Sequence, residues 1–97
     1  MDNMARARGL SGVTQLGEWT QEDSDAYVTA RDLLTALIAA YSEQIDGATG
    51  EDVGRLLGEQ RGYVEEQRRL SVTDRDDVRR VLNTYPERLR QVRGVAE

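Results

Sequence analysis

The chain contains no cysteine, no histidine, no phenylalanine and no lysine, and only one proline and one tryptophan in 97 residues. Each gap excludes something. Without cysteine there is no disulfide framework, no thiolate nucleophile and no cysteine-ligated metal site. Without histidine the usual general base and the commonest transition-metal ligand are missing. Long apolar runs are also missing. The longest, Leu33 to Tyr41, is nine residues and is interrupted by Thr35. A membrane span needs about 20, so none is expected. Arg6 and Arg8 are not followed by an apolar h-region, which argues against a signal peptide and leaves the cytoplasm as the default compartment.

Positive charge is scarce too. The formal net charge is −5, and all thirteen basic residues are arginine. Nucleic-acid binding draws on a basic footprint that the chain as a whole lacks. Exclusive use of arginine fits either GC-rich codon bias or a need for planar, bidentate donors.

Glycine, by contrast, recurs at every fourth position between Gly50 and Gly62: Gly50, Gly54, Gly58, Gly62. Between them Val53, Leu56, Leu57, Tyr63, Val64 and Leu70 follow a helical period. Three of these glycines would be interior to the helix, at a cost on the order of 2–3 kcal/mol relative to alanine. Taking 100° per residue, Gly54, Gly58 and Gly62 fall beside and behind the apolar face. The strip is flanked by Arg55, Glu59, Arg61 and Glu65, which excludes lipid. It is either a close-packing surface for another helix or a solvent-facing strip that tolerates glycine.

Residues 1–20 read as an N-terminal arm, flexible or docking. Gly9, Gly12 and Gly17 interrupt them, and Leu10, Val13, Leu16 and Trp19 sit three apart. Trp19 is expected to pack on the domain that follows. The segment 21–97 then reads as a helical domain. Thr20 and Ser24 are candidate N-caps for a first helix over about 24–46, whose apolar stripe runs Tyr27, Ala30, Leu34, Leu37, Tyr41 and ends at Gly47. Thr49 with Asp52 forms a weak capping box for a second helix over about 50–70. Thr73 with Asp76 starts a third over about 74–93, carrying Val78, Leu82, Tyr85, Leu89 and Val92. Pro86 falls inside that stripe without shifting its phase, which predicts a kinked continuation. Short turns make consecutive helices antiparallel neighbours.

The expected fold is therefore all-α: a three-helix up-down-up bundle with an N-terminal arm and a third helix kinked near Pro86. The expected core is Tyr27, Ala30, Leu34, Leu37, Ile38, Tyr41, Ile45, Val53, Leu56, Leu57, Tyr63, Val64, Leu70, Val78, Leu82, Tyr85 and Leu89. An exchange of the third helix between subunits suits the same stripes.

Chemistry is sparse. The acidic pairs Glu51-Asp52, Glu65-Glu66 and Asp76-Asp77 could hold a hard cation or do acid–base work, but the helix-start carboxylates already have a role at the dipole. No catalytic, cofactor-binding or metal-binding residue is assigned, and a non-enzymatic protein is expected. The partner-binding candidates are Gly54, Gly58, Gly62, Arg55 and Trp19, with a protein partner or a second copy as ligand and no membrane. The alternative is a ligand- or nucleic-acid-binding regulator using Arg75, Arg79 and Arg80 of the third helix, with Arg68 and Arg69 near the turn. Against that stands ordinary (i, i+4) pairing of solvated arginines.

One further pattern is Tyr27…Ala30-Arg31…Leu34…Tyr41, then Arg68-Arg69-Leu70…Thr73-Asp74…Val78…Val81…Tyr85…Arg88-Leu89-Arg90. It resembles a set of small helical proteins of high-GC actinobacteria over residues 26–92. The arm and Pro86 depart from it. The resemblance implies a helical fold and a high-GC host and carries no mechanism.

Overall fold

The computed structural model describes residues 19–94, which form three α-helices: α1 (Gln21–Asp46), α2 (Glu51–Arg69) and α3 (Arg75–Arg93). The caps that the sequence suggests are found in part. Thr20 caps α1 with a complete capping box: its side chain accepts from the Asp23 amide, and the Asp23 carboxylate accepts from the Thr20 amide at 2.9 Å. The helix therefore starts four residues earlier than a Ser24 cap would place it. The other two caps move by one residue. Gly50, not Thr49, caps α2, at φ 63° and ψ −133° with no side-chain bond to the helix. Asp74, not Thr73, caps α3 by accepting from the Asp77 amide at 3.1 Å. Thr73 instead shares a hydrogen bond with Ser71. In both turns a residue better suited to the bend sits next to the threonine: a glycine for positive φ, an aspartate for the dipole.

α3 runs unbroken through Pro86 to a left-handed Gly94. Pro86 has no amide hydrogen to offer the Leu82 carbonyl. Its outward position spares the ring any packing conflict.

α1 packs against both other helices, whereas the backbones of α2 and α3 stay farther apart. The contacts fix the direction of each. Gln60 and Gln67 of α2 meet Ile38 and Arg31 of α1 in reverse order, so these two helices are antiparallel. Asp23 and Arg75, each in the first turn of its helix, meet at 2.7 Å, so α1 and α3 run parallel. The result is the up-down-up bundle.

The core lies mainly between α1 and α3. Ala30, Leu34, Leu37, Ala40 and Tyr41 of α1, Leu70 of the second turn, and Val78, Val81 and Tyr85 of α3 are buried. Val81 and Ala40 were not among the expected core residues. Leu82 and Leu89 are only partly buried, and Val81 joins the expected Val78 and Tyr85 on the buried side of α3. The larger departure is α2, which contributes no buried residue. Its Val53, Leu56, Tyr63 and Val64 are half-buried, and Leu57, expected in the core, is 41% exposed. With the α3 backbone farther away, α2 packs closely on α1 alone and reaches α3 through long side chains, so its apolar face is only partly covered.

Candidate functional site

Polar side chains hold α2 where apolar burial does not. The Gln60 amide donates to the Ile38 carbonyl at 2.9 Å and to the Ser42 hydroxyl at 2.8 Å. Seven residues on, the Gln67 amide donates to the Arg31 carbonyl at 3.0 Å and to the Thr35 hydroxyl at 2.7 Å. Seven residues make two helical turns, so both glutamines lie on one line facing α1. Each grips a carbonyl and the hydroxyl one turn further along. At 100° per residue both positions fall on the apolar face of the helix; the groups that they bind appear only with the partner helix.

A ladder of one tyrosine per helix joins all three elements. The Tyr41 and Tyr63 rings are 5.6 Å apart, and Tyr63 meets Tyr85 edge-to-face at 5.3 Å. The Tyr41 hydroxyl donates to Glu59, and that of Tyr85 to Glu66, both at 2.8 Å. Arg88 donates to the Tyr63 hydroxyl at 3.1 Å. Burial, then the carboxylate neighbour, raises the Tyr41 phenol above its ordinary range. Burial also raises that of Tyr85, with Glu66 adding to it and the nearby Arg80 opposing it. These carboxylates are therefore structural acceptors.

The arginines proposed for anions are engaged in the same way. Arg75 donates to Asp23 from two nitrogens, at 2.9 and 2.7 Å. That bond and the Thr20 amide hold the Asp23 carboxyl below its usual value. Arg79 faces Asp76 at 3.6 Å on an exposed surface. Arg80 touches Glu66 at 2.9 Å, Asp77 at 2.8 Å and the Tyr85 hydroxyl at 3.0 Å, tying α2 to α3. The three do not converge on a common point of attraction for an anion. Beside Arg75, a groove of about 170 Å³ is lined by Ala26, Val72, Val78 and Leu82. Small-molecule sites usually measure about 300–1,000 Å³. Trp19, expected to pack on the domain, is 48% exposed. The other arm residues, 1–18, lie outside the described residues.

The outer face of α2 is the opposite case. Gly54, Gly58 and Gly62 are exposed, and among the described residues a Cβ built on any of them meets no atom within 4 Å beyond its own stretch of helix. None has the positive φ that would require glycine. At 100° per residue, Glu51, Arg55, Gly58, Gly62, Glu65 and Arg69 fall within about 40° of one line, on the side away from α1. All six are exposed. Their spacing of 4, 3, 4, 3, 4 is the seam pattern of a helix pair, but charged and glycine residues occupy the positions that apolar ones fill in a coiled coil. The glycines were legible in the sequence; the second heptad line was hidden because a search for apolar periodicity passes over it.

Among the described residues no group of histidine, cysteine, aspartate or glutamate could hold a metal ion, and no helix is long and apolar enough to cross a membrane. No protein-family model, curated protein or solved structure matches the chain.

Proposed function

We propose that this chain is a non-enzymatic protein–protein interaction module, a small regulator or assembly component of the cytoplasm, which docks through the outer face of α2. The observation that carries the reading is the openness of Gly54, Gly58 and Gly62. Three interior glycines weaken a helix by about 2–3 kcal/mol. Neither a close neighbour nor a special backbone angle among the described residues calls for them. A helix approaching from outside would, because absent side chains let two backbones come closer than the usual 8–10 Å between axes.

The test is Gly58→Leu. Leucine is a better helix former than glycine, and the site has room for it, so the domain should melt higher and keep its circular dichroism. Association, read as oligomeric state and as recovery of partners from the native host, should fall sharply. A variant that is more stable yet equally associated in both readouts contradicts the proposal. Using the α3 arginines for an anionic ligand is disfavoured, because Arg75 and Arg80 are already held by carboxylates.

A further inference from the structure

The charges along α2 are arranged antisymmetrically about Gln60. Glu51 and Arg69 are equidistant from it, as are Asp52 and Arg68, Arg55 and Glu65, and Glu59 and Arg61. Every one of these four pairs joins opposite signs. Gly58 and Gly62 are equidistant as well. Only Glu66, set opposite Gly54, breaks the pattern, and Glu66 is already engaged by Arg80 and Tyr85. A two-fold axis through the middle of an antiparallel helix pair brings such equidistant residues face to face. At 100° per residue, residues equidistant from Gln60 lie symmetrically about two opposite faces of α2. One points toward α1 along Gln60. The other is centred on the exposed line of Glu51, Arg55, Gly58, Gly62, Glu65 and Arg69, and an antiparallel copy seated there has the two-fold axis between the two helices.

We infer that the outer face of α2 binds the same face of a second copy of this chain, antiparallel, with Gly58 against Gly62 and with Glu51–Arg69 and Arg55–Glu65 pairs repeated on both sides of the axis. The inference rests on the reading of α2 as a docking surface and names its occupant. Charge complementarity selects that occupant: a parallel copy in register would set each charge beside its own kind, and the antiparallel copy sets each beside its opposite. Glu51 and Arg69 have no ion pair among the described residues. Arg55 and Glu65 have only exposed intrahelical ones at 3.3–3.6 Å, which can be traded for contacts across the axis. A single helix pair covers less than the roughly 1,600 Å² of a standard interface. The dimer should therefore be of about micromolar strength and weaken with salt.

Charge exchange tests this on the full chain by sedimentation equilibrium at low salt. Arg55→Glu sets like charges together at two places in the dimer and should weaken association by about tenfold or more. Adding Glu65→Arg in the same chain restores opposite signs at both places and should restore association. Only a self-complementary antiparallel pair predicts that rescue. A second measurement is independent of charge strength and uses the absence of native cysteine. A mixture of Glu51→Cys and Arg69→Cys chains should form the mixed disulfide in preference to either like pair, whose thiols would lie about 27 Å apart. A wild-type chain that stays monomeric to about 1 mM overturns the inference, as do an unchanged affinity in a folded Arg55→Glu variant and a dominance of like disulfides. If self-association is absent but Gly58→Leu still abolishes partner recovery, the second copy is refuted and the docking surface stands.

Discussion

At the scale of single residues, the glycines of this chain divide into two kinds, and stability measurements should separate them. Gly50 caps α2 at φ 63°, a conformation that L side chains rarely adopt. Gly50→Ala should destabilise the domain by about 1–3 kcal/mol. Gly54, Gly58 and Gly62 have open space and ordinary helical backbone. Alanine at each should stabilise by about 0.8–1 kcal/mol, seen as a higher midpoint in urea. A loss of stability at any of the three would mean that the glycine serves the monomer itself. The same division marks what the sequence could reveal. The four-residue spacing identified the strip, but nothing local distinguished Gly50, which the turn requires, from Gly54, which it does not. The caps moved by one residue for a similar reason. Thr49-Gly50 and Thr73-Asp74 each offer two plausible cap residues, and the path of the turn selects between them.

The three helices differ in how they are held. α1 was legible almost in full, because its apolar stripe and its capping box act locally and agree with each other. α3 was legible apart from Val81: Val78, Val81 and Tyr85 and the sequence Val78, Leu82 and Tyr85 are equally good helical stripes, and contact with α1 alone decides between them. α2 was the least legible. Its inward face depends on Gln60 and Gln67, whose value appears only beside the α1 carbonyls. An element without a buried residue, fastened by polar clamps, should open before the others. Native-state hydrogen exchange should therefore give α2 lower protection than α1 and α3. Gln60→Ala and Gln67→Ala should each lower that protection further, at about 1–2 kcal/mol for two hydrogen bonds. Equal protection across all three helices would contradict this account of α2.

At the scale of the three helices, α1 and α3 form the scaffold, and α2 is a peripheral helix whose outer side is exposed among the described residues. Titratable groups tie the three together. The folded-state pKa values of Tyr41 and Tyr85 are raised, so their contribution to stability is fully present below the unfolded value of 10.0 and is lost as pH climbs toward the folded values. Chemically, a phenolate can no longer donate to Glu59 or Glu66. Asp23 acts at the other end: its pKa is lowered, so its contribution is present above the unfolded 3.8 and is lost as pH falls through the folded value. Melting temperature against pH should fall off on both sides. Tyr41→Phe should flatten the alkaline limb and Asp23→Asn the acid limb, and a variant that leaves its limb unchanged would show that the assigned group is not the cause.

The measurement that bears most directly on the account is molar mass in solution, by light scattering after size exclusion, over a range of concentrations at low and at high salt. Self-pairing of α2 predicts a mass that rises with concentration from the 10.9 kDa of one chain toward twice that value at low salt, and returns toward one chain at high salt. A mass of one chain at every concentration and every salt would contradict it.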